Sequence, residues 1–209
     1  MLRNIFDPEN WLFRPLGKLV DIVMLSLFWL AVSIMLLPLG AAATALYDSA
    51  ARCLRRGEQG PYARFVNTFK ENFVTGGIAG TVVLALCYGL YRLHSFLYLL
   101  ADTGNRGWGV VYIAFWALLV VFNGIIAYLF PLLSRFEFKA GGLFSTGIRL
   151  AMAHLPSTLL LGLWTTFCII VVAVMWLTAL FIPCVWALGA SLPLERIFRP
   201  YMEAQASKE

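Results

Sequence analysis

The sequence predicts an all-α membrane protein, a polytopic helical bundle with about five transmembrane helices, from two observations. The chain is 61% hydrophobic and only 13% charged, whereas soluble domains carry about 25% charged residues. Residues 155–194 contain no Asp, Glu, Lys or Arg. Because one helical span needs about 20 apolar residues, this run has room for two spans. A soluble globular fold is therefore excluded.

Charge-free stretches divide the chain into predicted spans. We expect spans near residues 18–37, 73–97, 108–133, 156–175 and 177–194. The first stretch is longer than the apolar region of a signal peptide, about 7–15 residues, so we expect it to be retained as a span. We expect residues 1–209 to form a single integral membrane domain.

The division of the last apolar run has two interpretations. Two equal spans require a turn near residues 174–177, where no Gly or Pro is found. The alternative is one long span that ends at Pro183, followed by a short, tilted or re-entrant helix ending near Pro193.

Two further segments are predicted to form short amphipathic helices on the membrane surface, near residues 41–56 and 62–72. Cations gather late in the first, as is favourable at a helix C-terminus. The second contains Phe65 and Phe69, which with Phe73 share one helical face. A re-entrant or spanning helix at 41–56 is the alternative for the first segment.

The orientation depends on that alternative. Five spans place the N-terminus outside, and the loops with most cations then face the cytoplasm, as the positive-inside rule requires. A sixth span at 41–56 would leave only Arg92 and Arg106 outside, so the charge bias favours six. Hydropathy favours five, because Asp48 would lie in a thin, Ala-rich span. We expect five spans, within a range of four to six.

Polar residues at membrane depth are candidates for function, because burying them is costly. Asp21 follows Lys18 by one turn, and Asn123 lies near the middle of the third span. Each is a candidate for a polar path or for a helix–helix contact. An ion pair with Lys18 would explain Asp21, and a hydrogen bond to Thr165 or Thr166 would explain Asn123.

A second candidate site lies in the loops. Six residues of the predicted surface helices form a candidate cytoplasmic surface for docking a partner or for contact with anionic lipid. They are Arg52, Arg55, Arg56, Phe65, Phe69 and Lys70. A separate signal is Gly76-x-x-x-Gly80, whose spacing is typical of closely packed helices.

The sequence contains no pattern for catalysis. Zinc-protease, nucleophile-elbow and P-loop motifs are absent, and the four cysteines form no C-x-x-C pair. We therefore predict no catalytic residues, no cofactor-binding residues and no metal site. The positive net charge is explained by basic loops, so no nucleic-acid partner is expected.

Four segments carry a resemblance to a known family: Pro38–Tyr47, Phe65–Phe73, Phe130–Phe136 and Ala151–Thr158. In this order they resemble the YesL-like bacterial multi-pass membrane proteins of unknown function. The resemblance implies a multi-pass protein of the bacterial cell membrane and a link to carbohydrate uptake. It supplies no catalytic residues.

Two functions are compatible with these features. The first is an accessory or interaction protein, not an enzyme, whose partners are the lipid bilayer and carbohydrate transporter components. The second is a small transporter that works as a homo-oligomer, since five spans rarely enclose a path alone. Proline breaks at Pro38 and Pro183 favour the second function, because broken helices often build substrate sites.

Overall fold

The computed structural model describes residues 13–102 and 106–206, and none of these residues forms a β-strand. Eight α-helices, a π-helical turn and a 3₁₀ turn account for nearly all of them. In chain order they are α1 (Phe13–Ser33), α2 (Leu39–Ser49), the π-helix Ala50–Arg55, α3 (Pro61–Glu71), α4 (Phe73–Ala101), α5 (Arg106–Leu133), α6 (Ala140–Ala153), α7 (Leu155–Val174), the 3₁₀ turn Trp176–Leu180 and α8 (Ile182–Ala206). The predicted all-α class is confirmed.

Three helices in the described part of the chain are long and apolar enough to cross a membrane: α4, α5 and α7. They correspond to three of the five predicted spans and support a membrane protein. The predicted count of about five is not confirmed by this criterion. The remaining two predicted spans correspond to α1 and to the first half of α8.

The spanning helices alternate in direction. Gly124 of α5 lies against Thr158 of α7, and Gly162 lies against Val120, so these two helices run antiparallel. His94 of α4 meets Tyr112 of α5, which gives a second antiparallel pair. The α3–α4 junction and the α5–α6 connection therefore lie at one end of the bundle, hereafter the polar end.

The second helix is the most enclosed element, contrary to the expectation that residues 41–56 form a surface helix. Most residues of α2 are buried, including Ala41, Ala45 and Tyr47. Glycines on α4 make this burial possible. A Cβ atom added at Gly80 would lie 2.6 Å from the Gly40 nitrogen, and one added at Gly76 would lie 2.7 Å from Ala41 Cα, so larger residues would not fit. The close-packing role predicted for Gly76-x-x-x-Gly80 is confirmed, and its partner is α2.

The long apolar run is two helices, with a turn that contains neither Gly nor Pro. Helix α7 ends at Val174, and α8 begins at Ile182. Thr178 supports the turn, since its hydroxyl donates to the Met175 carbonyl at 2.6 Å. Pro183 is the second residue of α8, where its missing N–H costs nothing. Proline therefore starts the last helix and does not divide the run.

Candidate functional site

Charged residues from four parts of the chain meet at the polar end. We call this group the charge cluster. It consists of Asp48, Arg52, Arg56, Arg64, Arg135 and Glu195. Two carboxylates and four guanidinium groups leave it with a net positive charge.

Asp48 is the first centre of the charge cluster and is only 1% exposed at the end of α2. Its carboxylate accepts hydrogen bonds from Arg64 Nε at 2.6 Å and Thr68 Oγ1 at 2.9 Å, both on α3. Arg135 binds its other oxygen. Arg52 Nε lies 2.9 Å from that oxygen, without the angle of a hydrogen bond. The side chain is thus satisfied although it is buried.

Glu195 is the second centre and is 7% exposed on α8. Arg135 donates to one carboxylate oxygen twice, from Nη2 at 2.6 Å and from Nε at 2.9 Å. The same oxygen accepts from the Tyr47 hydroxyl at 3.5 Å, and Arg56 binds the other oxygen. Glu195 therefore connects α8 to α2 and to the π-helix.

Arg135 joins the two centres. Its side chain is 2% exposed and contacts Asp48 and Glu195 simultaneously. The guanidinium carbon also lies 5.8 Å from the centre of the Tyr47 ring, within range of a cation–π interaction. Because Arg135 lies two residues after the end of α5, one side chain ties the end of α5 to α2 and α8.

The pKa values follow from this arrangement. Burial would raise the pKa of Asp48, but the hydrogen bond from Arg64 and the charges of Arg135 and Arg52 outweigh it, so the pKa is lowered. Burial would lower the pKa of Arg135, yet Glu195 and Asp48 raise it. Burial and the Glu195 charge together raise the pKa of the Tyr47 phenol. At neutral pH Asp48 and Arg135 are therefore ionised, and the Tyr47 phenol keeps its proton.

Of the three arginines predicted as a docking or lipid surface, two belong to the charge cluster and the third lies beside it. Arg52 and Arg56 pair with its two carboxylates. Arg55 Nη1 donates to the Ser191 carbonyl at 2.6 Å. All three therefore hold α2 and its π-helix in place, and their proposed role as a docking surface stays a prediction.

The other three members of that predicted surface differ in how deeply they are buried. Phe65 is buried at 3% exposure, stacked between Phe28 of α1 at 6.0 Å and Phe69 at 6.4 Å. Phe69 is partly buried, and Lys70 is exposed. The phenylalanine stripe thus fixes α3 to the bundle, and of these three residues Lys70 is the exposed one.

Asp21 and Asn123 lie outside the charge cluster and bind other partners. Asp21 accepts a 2.5 Å hydrogen bond from the Tyr62 hydroxyl and forms no ion pair with Lys18. That hydrogen bond, together with burial, raises the pKa of Tyr62 to about 12. Asn123 donates to Thr166 at 3.0 Å, which confirms one of its two expected partners.

Sequence reasoning did not identify the charge cluster as a site. No sequence pattern marks Arg135 or Glu195 as a candidate, and Asp48 counts at the sequence level only as an obstacle to a sixth span. The available signal was an isolated acid inside an apolar, Ala-rich segment with arginines shortly after it. A buried acid requires compensating charge, which predicts a partner from elsewhere in the chain.

Two large cavities beside the helices are lined mainly by apolar side chains. One, of about 530 Å³, lies between α1, α2, α7 and α8, with Trp29, Leu46 and Ile169 in its walls. The other, of about 600 Å³, lies between α7 and α8. Neither contains a charged residue in its lining. The charged residues of the polar end lie instead in the charge cluster and next to it.

The fold and the charge cluster define a helical membrane protein whose polar end is held together by buried ion pairs. Residues 22–92 match the family described as "Protein of unknown function, DUF624". The match covers α2, α3 and most of α1 and α4, and it includes Asp48, Arg52, Arg56 and Arg64. No curated protein and no solved structure matches the chain.

Proposed function

We propose that this protein is a non-enzymatic accessory protein of the bacterial cell membrane that presents a rigid polar end to a membrane partner. The observation that carries the proposal is the charge cluster, in which Arg135 joins α2, α5 and α8 through Asp48 and Glu195. Such a network stabilises one arrangement of the helix ends. A fixed arrangement is what a docking platform needs.

The cavities support an accessory role over a transport role. A path for ions or sugars needs polar groups that face a cavity. The cavities beside α7 have almost purely apolar linings, and the amide of Asn123 is engaged by Thr166. The polar groups in the described part of the chain therefore favour helix–helix contact.

Tyr62 at the polar end binds Asp21 near the start of α1, so α1 begins at the polar end and α2 returns the chain to it. We propose that α1 and the first half of α8 also lie in the membrane and complete the bundle. They pack against each other where Ser26 Oγ accepts a 3.2 Å hydrogen bond from the Cys184 backbone. The polar end carries Arg52, Arg64 and Arg135, whereas Arg106 starts α5 at the opposite end. The positive-inside rule then places the polar end in the cytoplasm.

The expected partner is a component of a carbohydrate uptake system. This link is supported by the family resemblance and by no residue of the chain. The described polar end offers the exposed residues of α3, including Val66 and Lys70, as a surface beside the charge cluster.

Affinity capture tests the accessory function. The tagged full-length protein is isolated from its native membrane in mild detergent, and its partners are quantified by mass spectrometry. We expect a transporter component at a fixed ratio, and reduced recovery with Lys70→Glu but not with Arg106→Glu as the matched control. Uptake of a sugar by the purified protein alone in liposomes would contradict the accessory role.

The second candidate is a small oligomeric transporter. One observation favours it: the chain breaks after α1, with Leu36 at a φ of 57°, and then enters the buried helix α2. Broken helices of this kind build substrate sites in transporters. The same liposome assay tests it, and we expect Asn123→Ala to abolish any uptake that is intrinsic to this protein.

A further inference from the structure

A cationic cavity of about 440 Å³ lies next to the charge cluster, between the π-helix and the second half of α8. Its lining includes four arginines and two glutamates, so its net charge is positive. The lining residues are Arg55, Arg56, Glu195, Arg196, Arg199, Met202 and Glu203. Arg56 and Glu195 also belong to the charge cluster, and the other five residues lie outside it.

The two glutamates of the cationic cavity are already paired. Glu195 binds Arg135 and Arg56, and Glu203 lies 2.9 Å from Arg199 Nε. In contrast, neither Arg55 nor Arg196 forms an ion pair with a described carboxylate. The Arg199–Glu203 pair is largely exposed to solvent and therefore weak, so Arg199 can also bind an external anion. The cavity therefore holds positive charge that the protein itself does not balance, which is the chemistry of an oxyanion site.

An apolar groove continues from the cationic cavity along α8. The 600 Å³ cavity between α7 and α8 is lined by Trp164, Phe167, Gly189 and Leu192 among others. At 100° per residue, Gly189, Leu192 and Arg196 share one face of α8. The groove is open to the outside, because Leu192 is 54% exposed.

The dimensions agree with one leaflet of a membrane. From Gly189 to Arg199 the helix rises roughly 15 Å, which is half of the roughly 30 Å hydrocarbon thickness. A groove that is apolar at Gly189 and Leu192 and cationic at Arg196 and Arg199 within this distance matches a molecule with an acyl chain and an anionic head.

We propose that this groove and cavity bind an anionic phospholipid, with an acyl chain along Leu192 and Trp164 and the phosphate at Arg196 and Arg199. The phosphate oxygens accept hydrogen bonds from the guanidinium groups, and the chain covers the exposed apolar face between α7 and α8. Free phosphate shares the head chemistry but lacks the chain.

Native mass spectrometry of the full chain in neutral detergent measures this binding with phosphatidylglycerol, phosphatidylcholine and inorganic phosphate as separate ligands. We expect retention of phosphatidylglycerol over phosphatidylcholine. The double variant Arg196→Gln/Arg199→Gln should lower the apparent affinity about 30-fold, since each cation beside an anionic lipid contributes to binding. Arg149→Gln, an exposed charge on α6 outside the cavity, is the matched control.

Quenching by phosphatidylglycerol with brominated acyl chains tests the groove. We expect it to reduce the fluorescence contribution of Trp164, obtained by subtracting the signal of Trp164→Phe. Equal losses of affinity in the double variant and Arg149→Gln would overturn the proposal, as would absence of Trp164 quenching. Binding of inorganic phosphate that depends on Arg196 and Arg199, without retained lipid, would overturn the lipid assignment.

Discussion

Arg135 is the residue on which most of the polar end depends. It satisfies two buried carboxylates that start from different helices. Removing one partner of a buried ion pair costs more than the pair contributes, because the remaining charge stays desolvated. The charge cluster therefore makes a specific prediction about stability.

Replacement of Arg135 by Gln should lower the free energy of unfolding by about 3–5 kcal/mol, because Asp48 and Glu195 lose their shared cation. Thermal unfolding in detergent measures the effect, and Arg149→Gln should remain close to the wild type. Adding Glu195→Gln to Arg135→Gln should cost less than the sum of the single changes. Equal melting temperatures for Arg135→Gln and Arg149→Gln would refute the role of the charge cluster.

The lowered pKa of Asp48 predicts an acid-dependent loss of stability. In the unfolded chain an Asp titrates near about 3.9, and in the fold its pKa is lower. The stabilisation by Asp48 is therefore complete above the pKa of the unfolded chain. It is lost as the pH falls through the lower pKa of the folded protein. The free energy of unfolding, measured between pH 6 and pH 2, should decline more steeply with falling pH for the wild type than for Asp48→Asn. Parallel curves would contradict the assignment.

Hydrogen-bond partners could be predicted from the sequence only where the two residues lie at the same depth in neighbouring predicted spans. Asn123 and Thr166 both fall in the middle of predicted spans, so their hydrogen bond could be anticipated. The partner of Asp21 could not, because Tyr62 comes beside it only after α3 has folded back against α1. Local spacing suggested Lys18, which is a nearer residue in the sequence but not the partner in space.

At the scale of elements, α2 owes its buried position to small residues. Gly76 and Gly80 let the backbone of α4 approach α2 closely. The contact gives dispersion energy and places Asp48 where Arg64 and Arg135 can reach it. By hydropathy, α2 is only a weak candidate for a membrane helix. Hydropathy does not indicate how closely a neighbouring helix will pack.

Gly80→Ala should destabilise the fold by about 1–3 kcal/mol, because the added methyl would meet the α2 backbone and force the helices apart. Gly89→Ala on the same helix is the matched control, since nothing lies near its added Cβ. That control should be neutral or slightly stabilising through helix propensity. Equal effects of the two substitutions, measured by thermal unfolding, would exclude close packing as the reason.

At the scale of the whole molecule, the proposed cytoplasmic position of the polar end predicts which surfaces are accessible from outside the cell. In a variant without native cysteines, Glu58→Cys and Gly141→Cys at the polar end should resist a membrane-impermeant thiol reagent in intact cells. Asp102→Cys at the opposite end should react. Opening the cells should make the polar-end positions reactive. Labelling of Glu58→Cys in intact cells would reverse the orientation.

Membrane residence, helical class and most helix positions were determined by the sequence alone, because hydropathy and charge act locally along the chain. The burial of α2 and the assembly of the charge cluster were decided by the tertiary structure. Asp48, Arg135 and Glu195 are far apart in the chain, so no local pattern encodes their pairing. Only the close packing of α2 against α4 and the return of α8 bring these charges together, where the cost of burying each is offset by the others.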